Sequence, residues 1–225
     1  MNKKFGTAVL FTTAAYFIPA APLMLLVPAA AHAQTVCTVG LLGVVTCVDP
    51  LLPTPVTGTV TTGTTVLSGP GVVGSSPTNI VANLTGNITT TGNNQPALSL
   101  TTPGVLTVTD TGTLVTTGAN SDGALLIGGT VAATLNTIST SGILSRGANV
   151  TSTSGPLGLT VNSVTTTGDG STAALLRSTG SVTFNSTTLL STAGVGAPAI
   201  DVATNPAVCI TLTGGCSITA VANQV

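Results

Sequence analysis

The sequence predicts an all-β chain that winds into a parallel β-helix, a solenoid with coils of about 25 residues. Its composition is the first reason, because Thr, Val and Gly dominate the chain, and Thr and Val favour strands while Gly favours turns. A second reason is that only 4% of the residues are charged and 2% are aromatic. The third is a short motif that recurs at almost constant spacing. No stretch combines the apolar stripe of a helix with helix caps.

The repeat is marked by glycines that follow a Ser/Thr-rich segment and precede an Ala-containing apolar segment. From one marker glycine to the next, the residue number increases by 26, 24, 26 and 26. The short strands of one repeat cannot bury an apolar face alone, so successive coils must stack. We expect the marker glycines to supply turns with positive φ, and rows of Thr to line the outer face. Seven coils at strand spacing would span about 34 Å. The marker glycines are Gly92, Gly118, Gly142, Gly168 and Gly194.

The N-terminus is typical of a secretory signal peptide. Two lysines open the chain, a long uncharged apolar run follows, and Ala31-His32-Ala33 ends it with a small-residue cleavage pattern. This combination predicts a signal peptide over residues 1–33, removed between Ala33 and Gln34. The alternative is an uncleaved anchor helix, because the run approaches the length of a bilayer span. Three prolines within it disfavour that alternative.

Three segments follow the signal peptide. Residues 34–55 hold two cysteines and end in a Pro-rich stretch, which indicates an N-terminal cap and a stiff link. Residues 56–205 have the monotonous composition of the repeats. Residues 206–225 are expected to be a C-terminal coil that is cut short and carries a second cysteine pair.

The cysteines predict disulfides at the two ends of the solenoid. Four cysteines allow three connectivities, and close spacing favours Cys37–Cys47 and Cys209–Cys216. Such clips would protect open strand edges, which otherwise recruit other chains. Each small loop would contribute on the order of 2–3 kcal/mol. Free buried thiols are the alternative, and the spacings fit no zinc pattern.

The charged residues exclude several function classes. After removal of the signal peptide no His, Lys or Glu remains, and Arg146 and Arg177 stand against five aspartates. A basic surface for nucleic acid is therefore absent, as are catalytic triads and zinc sites that need His. Asp122, Asp169 and Asp201 stand at different offsets from their marker glycines. We therefore expect solvated loop charges rather than paired catalytic carboxylates.

Three short motifs match known sites, and each has a simpler structural interpretation. Asp110-Thr111-Gly112 resembles an aspartic-protease triplet, but that chemistry needs two carboxylates and a single copy is present. The G-x-G-x-x-G match at 69–74 contains a proline and is followed by no helical pattern. Gly168-Asp169-Gly170 offers too few oxygen ligands for calcium. The sequence thus predicts turns, with no catalytic residue, cofactor or metal.

Runs such as 116–124 and 138–148 resemble the passenger domains of Gram-negative autotransporters, the pertactin- and adhesin-like β-helices. The resemblance extends over about Leu84 to Val202. It implies a right-handed parallel β-helix, in line with the handedness of parallel connections, and export to the cell surface. Those proteins also carry a translocator β-barrel, for which this sequence has no counterpart. We therefore expect a truncated passenger or a separate translocator in the outer membrane.

These observations lead to one functional hypothesis and two alternatives. The chain is expected to be a secreted or surface-displayed passenger with a structural or adhesive, non-catalytic role, and its partners would be glycans or proteins of a host or neighbouring cell. The first alternative is self-assembly of an amyloid-like, β-rich extracellular protein through open coil ends. The second is a Thr-rich ice-binding solenoid. It is disfavoured because Thr-x-Thr pairs do not recur at the repeat spacing.

Overall fold

The computed structural model describes residues 37–39, 45–48, 56–61, 65–204, 210–212 and 218–220, with side chains from 67 to 203. The signal peptide with its cleavage position at Ala33 and Gln34, the Pro-rich link at 49–55, and Cys209 and Cys216 lie outside these residues. No helix among the described residues is long and apolar enough to cross a membrane.

The described residues form nineteen β-strands, which are joined by turns and bends. The strands are β1 (Cys37–Val39), β2 (Val45–Val48), β3 (Val56–Thr61), β4 (Thr65–Leu67), β5 (Val72–Ser75), β6 (Ile80–Thr85), β7 (Asn87–Thr90), β8 (Leu98–Thr101), β9 (Val105–Asp110), β10 (Thr113–Thr116), β11 (Ala124–Gly128), β12 (Thr130–Thr140), β13 (Ala148–Ser152), β14 (Leu157–Thr166), β15 (Ala174–Ser178), β16 (Val182–Thr192), β17 (Ile200–Thr204), β18 (Ile210–Leu212) and β19 (Ile218–Ala220).

The strands stack in three parallel columns. The first column is β2, β5, β8, β11, β13, β15 and β17, and β1 pairs antiparallel with β2 at its end. The second column is β3, β6, β9, the first halves of β12, β14 and β16, and β18. The third column is β4, β7, β10, the second halves of β12, β14 and β16, and β19. The prediction of an all-β parallel solenoid is confirmed, with about five turns between residues 67 and 203.

Strand register reproduces the spacing of the repeat. Ala124 pairs with Leu98 of the preceding coil and with Ala148 of the following coil. Ala148 in turn pairs with Ala174, one further coil along the stack. These partners are separated along the chain by the same steps as the marker glycines. The pattern of marker glycines therefore reports which residues lie above one another in the stack.

The core fills the interior of the solenoid. Strand residues alternate between buried and exposed positions, as in β9 and β11, because successive side chains of a strand point to opposite faces. Buried Leu, Val, Ile and Ala of each coil pack against those of the next coil in one continuous cluster. Phe184 belongs to this cluster and pairs with Leu159 of the preceding coil. Burial of these apolar side chains is the main stabilising contribution to a solenoid.

The three corners between columns differ in how constant their lengths are. At the first corner, between the first and second columns, the step is five residues from Leu126 to Val131 and seven from the equivalent Val150 to Leu157. At the third corner, between the third column and the next coil, the step is eight residues in every described coil. These steps are Thr90 to Leu98, Thr116 to Ala124, Thr140 to Ala148, Thr166 to Ala174 and Thr192 to Ile200.

Buried hydroxyl groups explain the constant length of the third corner. Ser145 Oγ donates to the carbonyl of Gly118 (2.8 Å) and accepts from the backbone N–H of Ser121 (3.0 Å). Thr140 Oγ1 donates to the carbonyl of Ser145 within the same corner (2.9 Å). Ser121 and Ser171 repeat the same bonds one coil earlier and one coil later. We call this set of bonds the hydroxyl ladder. An insertion at this corner would break these hydrogen bonds between coils, because each of them joins residues that lie directly above one another in the stack.

The predicted position of the Thr rows needs a correction. The sequence predicts Thr rows on the outer face, yet one complete row points inward and is buried. These residues donate to backbone carbonyls at the third corner, which satisfies their hydroxyl groups away from water. The buried row is Thr90, Thr116, Thr140, Thr166 and Thr192.

The expectation of positive φ at the marker glycines Gly92, Gly118, Gly142, Gly168 and Gly194 is wrong. None of them has positive φ, and that conformation occurs two residues later. The positions with positive φ at this corner are Asn94, Asn120, Leu144, Gly170 and Gly196. The marker glycines are instead required by close approach of successive coils. A Cβ atom on Gly142 would lie 1.9 Å from the carbonyl oxygen of Gly118.

The N-terminal strand pair places two of the cysteines opposite each other. In the antiparallel pairing of β1 with β2, Cys37 is the partner of Cys47. Directly opposed positions are those that a cross-strand disulfide needs. The predicted disulfide Cys37–Cys47 is compatible with this register and stays a prediction.

Candidate functional site

The prediction that the charges are solvated is wrong for Asp122 and for Asp110, both of which are buried. Asp122 is only 8% exposed and lies at the third corner, where Arg146 of the next coil is 3.7 Å away. Its Oδ1 accepts from the backbone N–H of Arg146 (2.9 Å), and its Oδ2 accepts from Asn149 Nδ2 (2.8 Å). This carboxylate therefore connects two coils and has a structural role.

Asp169 also connects two coils. Its Oδ1 accepts from the backbone N–H of Val195 (2.9 Å), one coil later, and Asn93 accepts from Ala119 in the same way. The Gly-Asp-Gly sequence around Asp169 is thus an inter-coil turn, as predicted. Within residues 67–203 no three carboxylates, His or Cys form a group that could hold a metal ion.

A shallow, solvent-open groove of about 370 Å³ lies at the second corner, where the chain passes from the second to the third column. We call it the corner groove. Most of the groove surface is apolar, although seven of the eight lining residues have polar side chains and one of these is a carboxylate. The lining residues are Asp110, Thr111, Thr134, Leu135, Asn136, Thr160, Asn162 and Thr187.

One wall of the corner groove is a ladder of side-chain amides. Asn136 Nδ2 donates to the carbonyl of Thr111 in the coil before it (3.1 Å). Asn162 Nδ2 donates to Asn136 Oδ1 (3.1 Å), and Thr187 Oγ1 donates to Asn162 Oδ1 (2.9 Å). Thr188 Oγ1 also donates to the carbonyl of Asn162. These bonds link four consecutive coils, and they orient both amides so that each Nδ2 points to the preceding coil.

The other wall comes from the outer face of the second column. Thr134 pairs with Thr109 of the preceding coil and with Thr160 of the following coil. Thr160 in turn pairs with Asn185. Because paired residues of neighbouring strands point to the same face, these side chains form a row that runs along the stack beside the amide ladder.

Asp110 lies where the register would otherwise place a core residue. It pairs with the buried Leu84, is 2% exposed, and also lines the groove. Its Oδ1 accepts from the backbone N–H of Gly112 (3.1 Å), whereas its Oδ2 has no hydrogen-bond partner within the described residues. Burial raises the pKa of the Asp110 carboxyl above its ordinary value of 3.8, partly opposed by the backbone N–H groups of Gly112 and Asn136.

The triplet that starts at Asp110 is a turn, as the sequence predicted. Asp110 Oδ1 closes it onto Gly112, and a Cβ on Gly112 would lie 1.6 Å from the carbonyl oxygen of Gly86. Gly112 is therefore required by the close approach of the previous coil. Within the described residues no second carboxylate lines the groove.

A second irregularity lies in the coil that closes the groove. β16 carries a register shift relative to β14 between Val161 and Ser163. Near this shift, Ser186 Oγ and Asn185 Oδ1 are buried and have no hydrogen-bond partner in the described part of the chain. Ser186 pairs with Val161, so it too occupies a core position. In the first and the last of the four coils that line the groove, a polar residue, Asp110 or Ser186, thus occupies a core position that is apolar in the coils between them.

Sequence reasoning found Asp110-Thr111-Gly112 but missed the amide ladder. Asn136 and Asn162 lie one repeat apart, and each directly follows a buried residue, Leu135 or Val161. That recurrence at the repeat spacing was the available signal. It was missed because the second corner varies in length, so that Thr187 and Thr188 replace the amide in the next coil.

No protein family, curated protein or solved structure matches this chain. The geometry of the solenoid and its groove is therefore the basis for a functional proposal.

Proposed function

We propose that this chain is an exported β-helical passenger, secreted from or displayed on a Gram-negative bacterium, with a structural or adhesive and non-catalytic role. The observation that carries the proposal is the continuous parallel pairing of strands along the three columns. A stack in which each coil bonds its neighbours is an extended scaffold, and such solenoids present long binding surfaces along one side.

The use of the charged residues supports a non-catalytic role. The Asp122 carboxylate accepts hydrogen bonds from the backbone N–H of Arg146 and from Asn149 Nδ2. The Asp169 carboxylate accepts one from the backbone N–H of Val195. General acid–base or nucleophilic chemistry needs groups that converge on one reacting atom. These two carboxylates instead join successive turns of the scaffold.

Surface display is the experiment that tests the proposal. The full chain is expressed in a Gram-negative host with an epitope tag after Val225, and intact cells are treated with a protease of broad specificity. Trypsin is unsuitable, because Arg146 and Arg177 are the sole cleavage sites outside the predicted signal peptide. Loss of the tag on intact cells is the expected result. Protection until the outer membrane is opened would contradict surface display.

Two controls sharpen this experiment. A variant without residues 1–33 should stay protected in intact cells, which shows that cleavage depends on export. A periplasmic marker protein should remain intact in the same samples, which shows that the outer membrane is closed. A non-reducing blot of these samples also reports whether the cysteines form disulfides.

Ice binding is a second candidate, and one observation favours it. The outer face of the third column carries Ser or Thr at seven of ten aligned positions, although Thr-x-Thr pairs do not recur at the repeat spacing. The hydroxyls would be about 4.8 Å apart along the stack and about 7 Å apart along each strand. One row is Asn87, Thr113, Thr137, Ser163 and Leu189, and the next is Thr89, Val115, Ser139, Thr165 and Ser191.

Thermal hysteresis of the purified protein tests this second candidate. An ice-binding face should lose activity when Thr165, the fourth residue of the second row, is replaced by Lys. Thr183→Lys on the exposed outer face of the second column is the matched control and should retain it. Absence of hysteresis in the wild-type protein would eliminate the candidate.

A further inference from the structure

Two surfaces on the side of the stack complement each other in length and polarity. One is the corner groove, and the other is a set of exposed apolar side chains at the third corner, Ile143, Leu144 and Val195, which we call the apolar ridge. We infer that this protein associates with further copies of itself by packing the apolar ridge of one copy against the corner groove of the next. The inference goes beyond the proposed function, does not depend on surface display, and involves neither end of the stack.

The apolar ridge collects the most exposed apolar side chains of residues 67–203. Three of the five large apolar side chains that are exposed in this range belong to it, and each of the three is more than half exposed. A Cβ on Gly170 would lie 2.7 Å from Leu144 Cδ2. The absence of a side chain at Gly170 therefore gives Leu144 room to extend over the coil that separates Ile143 from Val195. Large apolar side chains that are exposed together mark interaction surfaces.

The corner groove offers a mostly apolar surface that is long enough for the apolar ridge. Ile143 and Val195 are two coils apart, because the coil of Asp169 bonds the coils on both sides of it, and at strand spacing this distance is about 10 Å. The groove lining comes from four consecutive coils, which extend over about 14 Å. The apolar ridge therefore fits within the length of the groove.

The two surfaces lie in the same three coils, at opposite ends of the third-column strands. Those strands begin at the second corner and end at the third, so each ridge coil also contributes a groove residue seven or eight positions earlier in the chain. The pairs are Asn136 with Ile143, Asn162 with Asp169, and Thr187 with Val195. A second copy in the same orientation, shifted along the strand direction, therefore brings ridge and groove together without sliding along the stack. This match of coil to coil is the reason that the groove fits a second copy of this chain.

Asp169 supplies a polar match between the two surfaces. It is exposed in the middle coil of the ridge, its Oδ1 accepts from the backbone N–H of Val195, and its Oδ2 has no hydrogen-bond partner within residues 67–203. In the shifted arrangement Asp169 lies opposite Asn162 of the second copy. Asn162 uses one of its two N–H groups on Asn136, so the other is available to donate to the carboxylate. Association would thus leave the covered carboxylate hydrogen-bonded rather than unpaired.

The contact is heterologous, because the ridge of one copy meets the groove of the next. Each copy in a pair therefore keeps one of the two surfaces free, and a shift without rotation extends the assembly into an open row. The third columns of successive copies would lie side by side in this row. The ridge consists of few side chains, so we expect weak association that becomes measurable at high protein concentration.

Sedimentation velocity of the purified protein over a wide concentration range tests the inference. The weight-average sedimentation coefficient is expected to rise with concentration, and a non-reducing gel of the same samples excludes disulfides between copies. The double variant Ile143→Asn/Leu144→Asn removes most of the apolar ridge and should lower the association constant about tenfold or more. Val105→Asn is the matched control, because Val105 is 46% exposed but belongs to neither surface, and it should associate like the wild type.

Two variants test the groove side of the contact. Thr160→Trp fills the groove from a wall position and should also lower the association constant about tenfold or more. Asn162→Asp replaces the amide donor by a carboxylate that would face Asp169 of the next copy, so it should weaken association by repulsion between like charges. Adding Asp169→Asn to Asn162→Asp should restore most of the association, because one carboxylate again faces one amide. Circular dichroism and urea unfolding of each variant identify any that is not folded.

A mixing experiment separates this interface from every other mode of association. The ridge variant keeps its groove and the Thr160→Trp variant keeps its ridge, so an equimolar mixture should form heterodimers although neither variant associates alone. A mixture that stays monomeric would overturn the inference, as would a wild-type protein that stays monomeric at all concentrations. Association that the ridge and groove variants leave unchanged would also overturn it, because stacking through open coil ends, or contact through another segment, would then be responsible.

Discussion

Ser145 and Ser121 are joined across two coils by a 3.0 Å hydrogen bond from the backbone N–H of Ser121 to the hydroxyl oxygen of Ser145. The same hydroxyl donates to the carbonyl of Gly118. One buried side chain thus satisfies two backbone groups at the third corner, where no strand pairing is available to them. The repeat is held together there by polar bonds as well as by its apolar core.

Replacing Ser145 by Ala should destabilise the protein by about 1–3 kcal/mol, because it leaves the N–H of Ser121 and the carbonyl of Gly118 buried without partners. Urea unfolding followed by circular dichroism measures the change. Ser139→Ala, at a half-exposed outward position of the third column, is the control and should change stability by less than about 0.5 kcal/mol. Equal effects of the two substitutions would show that the hydroxyl ladder adds nothing to stability.

Replacing Gly142 by Ala should cost about 3 kcal/mol or more, because the new Cβ would overlap the carbonyl oxygen of Gly118 and force two coils apart. Gly158→Ala is the matched control within β14. The nearest atom to its new Cβ is the carbonyl oxygen of Val131 at 3.9 Å. This control should stabilise the strand by about 0.5 kcal/mol, since Ala has less conformational freedom to lose on folding. A tolerated Gly142→Ala would mean that the coils can separate at this corner.

Replacing Leu144 by Asn should stabilise the protein by about 1 kcal/mol, because a left-handed conformation is unfavourable for Leu but accessible to Asn. Leu144 has φ of 56° and is 52% exposed. Asn94 and Asn120 occupy the equivalent positions of earlier coils. Ile143→Asn is the control, because Ile143 is 56% exposed and does not have positive φ. Chemical unfolding of both variants measures the difference, and a larger gain from Ile143→Asn would refute the explanation by backbone strain.

Asp110 should make stability fall as pH rises from about 3.8. Burial raises its pKa in the folded protein, so between the two pKa values the unfolded chain has lost this proton while the folded protein keeps it. The free energy of unfolding therefore falls with rising pH until the folded carboxyl also ionises. Below its ordinary pKa of 3.8 the Asp110 carboxyl is protonated in both states, and this penalty is absent. Asp110→Asn stays neutral and should keep the low-pH stability.

The measurement is the difference in unfolding free energy between Asp110→Asn and wild type at several pH values. We expect this difference to increase from about pH 3 to about pH 7. Ser139→Ala, at a half-exposed position, removes no titratable group, so it is the control and should give a flat difference. A flat difference for Asp110→Asn as well would mean that the buried carboxyl does not titrate differently on folding.

Cys37 and Cys47 should be found as a disulfide in protein recovered from an oxidising compartment, because they are partners in the β1–β2 pair. Alkylation without reduction, followed by proteolysis and mass spectrometry, identifies the linked peptides. Recovery of alkylated Cys47, or of Cys47 linked to Cys209 or Cys216, would contradict the pairing.

The fold class was predictable because its physical causes are local. Alternation of apolar and polar residues, as in Ala148–Ser152, determines which face of a strand is buried. The marker glycines recur at regular spacing because successive coils approach too closely there for a side chain. Their role was misassigned because sequence alone does not separate a glycine needed for its φ from one needed for space.

Contacts between residues one repeat apart were less accessible to sequence reasoning. The pairing of Asp122 with Arg146 depends on the register of two corners, and offsets from the marker glycines did not indicate it. The amide ladder of Asn136 and Asn162 also depends on which residues stack at the second corner. The predicted cleavage at Ala33 and the pair Cys209–Cys216 stay predictions.

The sequence by itself determined that this protein is an all-β solenoid of regularly spaced coils. Strand propensity, the alternation of apolar and polar residues and the third-corner motif are all properties of short segments. The tertiary structure alone decided which polar residues lie inside, which carboxylate is buried without a partner, and where a groove opens. The physical reason is that burial and hydrogen bonding in a stack are set by the coil above and the coil below. Small changes in corner length therefore decide whether a residue such as Asp110 occupies a core position or a surface position.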